Sequence, residues 1–242
     1  MSQTLTVPPA DQAISPEKAG FDLLGYAAPW PLADPSTAAA VRDAFNGEER
    51  YLKNPHTDSP AVRAMLRDPA LQARVAELCG SGLTLWRSAV FRKAEGAGEI
   101  GWHHDKHFHD GDGDIRLDDT GSHFSVLFGL TDIVQTTGMI ELVPGSQTDL
   151  PGVPRDTRPY HRRPASEHIL RDLPTPLQSR VRPVLIPAGS FLIFHSAMLH
   201  RSLPHAGGVT RLGLAIRLVR NDRSIPPELA EPKDIMPFPP EH

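Results

Sequence analysis

Cysteine is almost absent from this 242-residue chain. Cys79 stands alone, which excludes an intramolecular disulfide and any zinc cluster built on cysteines. A surplus of positive charge is missing as well. Lys and Arg total 25 against 29 Asp and Glu, a net charge of −4, whereas a general nucleic-acid binder needs basic residues in excess to meet phosphates. No apolar run approaches the ~18 residues that would span a bilayer. The opening residues, MSQTLTVPPADQAISPEK, lack the basic and apolar stretches of a secretory signal. The expectation is a cytoplasmic protein with no membrane and no nucleic-acid partner; the oligomeric state is not readable.

What is present is enough for a sizeable core. Hydrophobic residues make up 39% and charged residues 22%, and the length suits one larger domain. Proline, at 25 residues, favours short strands and turns over long helices. Arginine outnumbers lysine 20 to 5, read first as base composition and second as anion recognition.

The flanking region 1–81 reads as helical. Ser36 is placed to cap TAAAVRDAFN, and Ser59-Pro60 opens AVRAMLRDPALQARVAELC, which Gly80 stops and Pro69 divides. From Leu83 the character changes. LTLWRSAVF, SHFSVLFGL, GMIELV, VRPVLI, SFLIF and TRLGLAIRLV are short β-rich runs separated by Gly, Pro, Asp and Ser punctuation. Six such runs without helical periods between them predict an all-β sandwich or jelly roll over 82–220. A polar, proline-rich insertion occupies 147–180, and a proline-rich acidic tail, expected to wrap the surface, occupies 221–242.

The densest chemistry lies in Gly101 to Asp110. A His-X-Asp triplet puts its first and third side chains on one face of an extended strand, so His103 and Asp105 could reach one metal ion. Alone this is weak, since 12 His and 18 Asp yield about one such triplet by chance. The downstream segments add to it: Gly138 to Gln147, then Pro187 to Ser190, then His200-Arg201-Ser202 and Arg211. In order and spacing, these segments and Trp102-His103-His104-Asp105 resemble the phytanoyl-CoA dioxygenase-like (PhyH) branch of the iron(II)/2-oxoglutarate oxygenases, over roughly residues 83 to 220. Gln147, where that pattern has His, is a departure at a turn.

The resemblance implies a mainly β fold, a double-stranded β-helix (jelly roll, cupin-like) with flanking N-terminal helices. It implies Fe(II) on His103, Asp105 and His200, and 2-oxoglutarate anchored by Arg211 and Ser202. It further implies O2-dependent hydroxylation of an unactivated C–H bond, with 2-oxoglutarate decarboxylated to succinate and CO2. Two imidazoles and a carboxylate on one face of a ferrous ion suit that chemistry, and the fork of an arginine suits a carboxylate. His200 and Arg211 would flank a hairpin turn within 203–210, and Gly213 and Ala215, on the face of Arg211, would leave room for a cosubstrate or simply fit a tight barrel.

The remaining candidates are read more plainly. His107 and His109 lie where substrate is lined in related enzymes and are candidate substrate contacts. His104 is read as a packing or solvent residue, His195 as core, Cys79 as a buried apolar residue, and Asp110 to Asp114 as a solvated turn, since Ile115 breaks the calcium-loop pattern. Arg155, Arg158, Tyr160, Arg162 and Arg163 cluster in the insertion, as a solvated face or as a substrate anion site. The presence of Asp105 argues against halogenation. Desaturation or ring closure, a non-catalytic metal-binding jelly roll, and a zinc hydrolase remain alternatives; the last leaves Arg211 without a role. A chain short for the family suggests a compact small-molecule substrate of the amino acid or secondary metabolite type.

Overall fold

Two antiparallel sheets and a helical layer make up the computed structural model, which describes residues 14–45, 47–150, 153, 155–163 and 172–240. The strands are β1 (Tyr26–Pro31), β2 (Tyr51–Lys53), β3 (Leu83–Lys93), β4 (Ile100–His103), β5 (His123–Gly129), β6 (Ile140–Leu142), β7 (Arg182–Val184), β8 (Ser190–His195), β9 (His200–Ser202), β10 (Arg211–Arg220) and β11 (Met236–Phe238). The larger sheet runs β1-β8-β5-β10-β3-β11, with β2 also paired to β3; the smaller runs β4-β9-β6-β7. This is the jelly-roll arrangement that the strand pattern predicts. Among the described residues no helix is long and apolar enough to cross a membrane.

The central strand β10 shows how the layers form. Leu212, Leu214, Ile216 and Leu218 belong to the main core, packed with Val62, Met65, Leu71 and Val75 of the helices. The alternate residues, Arg211, Ala215 and Arg217, face a cavity between the sheets. Both faces are therefore buried, one against helices and one around the site.

The helices are α1 (Pro16–Leu24), α2 (Ser36–Ala44), α3 (Pro60–Leu66), α4 (Pro69–Cys79) and α5 (Thr175–Gln178). Ser59 caps α3 by accepting from Val62 N, and Pro69 opens a separate helix capped by Asp68. At α2 the cap differs from expectation. Ser36 is the first helical residue, and Asp34 accepts its N–H at 3.0 Å and also its hydroxyl. The first 81 residues are not helical alone, because β1 and β2 from this stretch join the larger sheet. The tail does more than wrap the surface: β11 pairs with β3, and Leu229 and Ala230 are buried with Trp86, Phe108 and Val219. Part of the 147–180 insertion, residues 151–152, 154 and 164–171, lies outside the described residues.

Candidate metal and cosubstrate site

His103 ends β4 and His200 opens β9, and these two residues are register partners across the smaller sheet. Pairing of neighbouring strands therefore brings together two histidines 97 positions apart. Their ring centres are 4.2 Å apart. Each Nδ1 meets a backbone carbonyl, Gly101 O at 2.7 Å for His103 and Met198 O at 3.0 Å for His200. A carbonyl only accepts, so Nδ1 carries the proton and Nε2 keeps its lone pair, the tautomer a metal ligand needs.

Asp105 completes the group. It lies two residues beyond the end of β4, where the chain leaves the sheet and Asp105 N donates to Ser196 O at 2.7 Å. Its Oδ2 stands 3.9 Å from His200 Nε2, and the ligand atoms of all three residues lie within 4.8 Å of one another. Arg217 Nη2 donates to Oδ1 at 2.6 Å and Ser125 Oγ to Oδ2 at 3.1 Å. Burial would raise the Asp105 carboxyl, but Arg217 and the two imidazoles outweigh it and hold it well below the usual carboxylate range. Burial, reinforced by His200, pushes His103 down to about 3, so this imidazole is neutral at physiological pH. Two imidazoles and a carboxylate are the donor set of a facial ferrous site.

A second cluster sits where β10 begins. Arg211 Nη1 donates to Ser202 Oγ at 2.8 Å and to Gly138 O, and Lys93 Nζ donates to Ser202 Oγ at 3.0 Å. Neither cation forms an ion pair among the described residues, and Arg211 Nε is buried without a partner. Two buried cations without an anion are costly, and burial accordingly presses Lys93 to about 8 and Arg211 to about 10. A dicarboxylate cosubstrate would supply the missing charge. Gly138 makes the close approach possible: at φ 89°, a Cβ here would lie 2.7 Å from Leu203 O and 3.0 Å from Lys93 Cδ.

The hairpin expected between His200 and Arg211 does not form. β9 pairs with β4 and β6, whereas β10 pairs with β3 and β5, so the 203–210 segment crosses from one sheet to the other. Arg211 and Ser202 meet across the interior instead. Of the two small residues beside Arg211, Ala215 lines the cavity, whereas Gly213 does not and sits against the neighbouring strand, where a Cβ would lie 3.4 Å from Phe128 O.

The two substrate candidates separate. His107 lines the cavity and stacks on Tyr160, ring centres 4.2 Å apart and 11° from parallel. His109 does not line it: past the end of β4 the chain no longer alternates, and its ring turns to Asp119, Nδ1 to Oδ2 3.4 Å. His104, read above as packing or solvent, is buried and lines the cavity with Nδ1 unpartnered.

The insertion arginines serve the fold. Arg155 donates to Ala197 O and Ser146 O, Arg158 pairs with Asp156 and Arg162 with Asp112, while Arg163 Nε lies 3.9 Å from Asp156. Of that cluster only Tyr160 reaches the cavity. Asp110 accepts from Ser224 N, His195 stacks on Phe21 in the core, Gln147 ties its turn to α1 through Asp22 O, and Cys79 is buried. Residues that the sequence reading missed are Lys93, Ser125 and Arg217. Arg217 had a signal: it continues the face of Arg211, Gly213 and Ala215.

Comparison with known proteins bears on this constellation. The model of the phytanoyl-CoA dioxygenase (PhyH) family matches residues 31–213. The chain belongs to that family. As a PhyH protein it is an enzyme, an oxygenase dependent on Fe(II) and 2-oxoglutarate. Its fold is similar to that of the non-heme monooxygenase ThoJ in its apo form, with TM-score 0.64, 20% identity and 88% of each chain covered. It is also similar to the alpha-ketoglutarate-dependent carbocyclase SnoK from nogalamycin biosynthesis, with TM-score 0.65 and 18% identity over 89% of this chain and 87% of that one. CytC3, solved with Fe(II) and alpha-ketoglutarate, gives TM-score 0.60 and 22% identity over 93% and 80%. No curated protein sequence matches the chain.

Proposed function

We propose that this PhyH oxygenase hydroxylates an unactivated C–H bond of a compact small molecule. In this reading His103, Asp105 and His200 hold Fe(II), and Arg211, Ser202 and Lys93 bind the far carboxylate of 2-oxoglutarate. The observation that carries the reading is the meeting of two features in one cavity: a donor set of two imidazoles and a carboxylate, and the buried Arg211 guanidinium, which forms no ion pair among the described residues and shares the Ser202 hydroxyl with Lys93. A zinc hydrolase or a purely structural metal site would satisfy the first and leave the second unexplained.

When bound, iron and 2-oxoglutarate together with O2 supply the oxidant, and 2-oxoglutarate leaves as succinate and CO2 while the substrate carbon gains a hydroxyl. The chain's own residues prepare that step. Gly101 O and Met198 O fix the two imidazole tautomers, Arg217 and Ser125 hold the Asp105 carboxylate in place, and Arg211 and Lys93 draw a dianion out of water. The cavity, about 360 Å³, must take cosubstrate and substrate together, which favours an amino acid or secondary metabolite over a long acyl chain. Asp105 fills the carboxylate position that a halogenase would leave open. Ring closure would use the same residues and is separated from hydroxylation by whether label from 18O2 enters the product.

The test is an anaerobic titration of the metal-free protein with ferrous iron and 2-oxoglutarate, following the visible charge-transfer band of the chelate. Wild type develops the band and Arg211→Ala requires at least about tenfold more 2-oxoglutarate, as expected for loss of a charge-assisted pair. Iron binding with no band at any 2-oxoglutarate concentration would sink the reading.

A further inference from the structure

The strand pair β3–β10 carries cations at both of its ends. Arg211 faces Lys93 at one end and Arg217 faces Arg87 at the other. The pairs are six residues apart, so their backbones are separated by roughly 20 Å. Between them lie Gly213 opposite Phe91 and Ala215 opposite Ala89. The Lys93–Arg211 end is assigned above to the cosubstrate. Nothing yet accounts for Arg87.

A charge inventory of the cavity singles this residue out. Among the described residues four arginines line it: Arg87, Arg201, Arg211 and Arg217. Arg201 is paired with Glu141 at 2.6 Å and Arg217 with Asp105 at 2.6 Å. Asp105 is the one acid among the described lining residues, and it is already engaged. Arg87 forms no ion pair among the described residues. Its Nη2 donates to the Tyr51 hydroxyl at 2.8 Å, which orients the guanidinium, and its Nε is buried and unpartnered. The walls beside it are aromatic: Tyr51 packs edge-on against Phe91 at 5.3 Å, and Tyr160 stacks on His107. An oriented arginine with an open donor, one uncompensated charge and aromatic flanks matches a singly charged planar oxyanion on an apolar body.

We propose that Arg87, oriented by Tyr51, is the specificity anchor for a carboxylate on the substrate. The substrate class is then a compact carboxylic acid with an aromatic or aliphatic body, held by its carboxylate at the end of the cavity away from the cosubstrate's far carboxylate. This rests on the oxygenase reading of the same cavity and names the substrate class that reading leaves open.

The test uses the holoenzyme with Fe(II) and 2-oxoglutarate under anaerobic conditions, so that binding is read without turnover. Matched pairs are titrated by calorimetry: 3-phenylpropionate against 3-phenylpropionamide, indole-3-acetate against indole-3-acetamide, and hexanoate against hexanamide, with phenyl phosphate as a further arm. At least one acid is expected to bind about tenfold or more tighter than its amide. Arg87→Gln is expected to bring that acid to the level of its amide, and Tyr51→Phe to remove part of the preference. The chelate band, measured in each variant, reports whether the cosubstrate end is intact. The proposal is overturned if acids and amides bind alike, if none of the pairs binds, if the preference survives in Arg87→Gln, or if the acid displaces 2-oxoglutarate and abolishes the band. Tighter binding of phenyl phosphate than of any acid would reassign the anchor to phosphate esters. A wild-type protein with no chelate band refutes the oxygenase reading itself, a result distinct from a normal band without acid preference.

Discussion

Lys93 and Arg211 stand side by side at the start of β10, sharing the Ser202 hydroxyl, and each raises the electrostatic cost of the other. Burial first, and then Arg211, press the Lys93 ammonium from its ordinary value to about 8. An anionic cosubstrate favours the charged form, so binding raises the pKa of Lys93 above that of the free enzyme. The sign follows: affinity for 2-oxoglutarate is full below about pH 8 and falls as pH rises past it. One coupled proton limits the fall to about tenfold per pH unit. Dissociation constants from the chelate band between pH 6.5 and 9.5 check this, and Lys93→Met should bind weakly with a flat profile. A sloping profile in Lys93→Met would remove Lys93 from the site. Little of this is legible in sequence. Lys93 is one of 5 lysines, and nothing local distinguishes it. His103, Asp105, His200 and Arg211 were legible because they sit in short segments of fixed order and spacing, whereas Arg217 meets Asp105 across 112 positions.

At the scale of elements, Asp68 joins two pieces of the helical layer. Its carboxylate caps α4, accepting from Ala70 N at 2.9 Å and Leu71 N at 3.1 Å. It also accepts from Ala33 N at 3.1 Å and Asp34 N at 3.0 Å, holding the segment that leads from β1 into α2. Asp68→Ala should therefore cost more than an ordinary cap, about 2–3 kcal/mol, because four backbone donors lose one acceptor, itself buried. Denaturant unfolding measures it, and a loss below about 0.5 kcal/mol would show that water replaces the carboxylate. The α3–α4 division was readable because proline and the preceding serine or aspartate act locally. The cap of α2 was misread, since Asp34 and Ser36 both suit that role in sequence and only the backbone path selects between them. β1, β2 and β11 escaped notice because YAAPWP, YLK and MPF are too short or too rich in proline to show a period.

Across the whole molecule, the C-terminal tail closes the end of the larger sheet. Phe238 joins the main core, while Leu229 and Ala230 cover Trp86 and Phe108, next to the segment that carries Asp105 and His107. Burying a side chain such as Leu or Phe contributes about 1.5–3 kcal/mol, so deletion from Ser224 onward should destabilise by at least about 3 kcal/mol. It should also weaken binding at the cavity, since Phe108 lies next to His107. A thermal melt and the chelate-band titration read the two effects, and an unchanged melting temperature would mean the tail is merely draped on the surface. The sequence alone determined a mainly β core, a helical flank, and His103, Asp105, His200 and Arg211 as candidates for the iron and cosubstrate site, because strand periodicity and motif spacing are properties of neighbouring residues. Tertiary structure alone decided that β9 and β10 lie in different sheets, that Arg217 is spent on Asp105 and His109 on Asp119, and that Arg87 forms no ion pair among the described residues. Those outcomes depend on which distant side chains are brought within a few ångströms, and on which charges remain uncompensated once every nearer pair has formed.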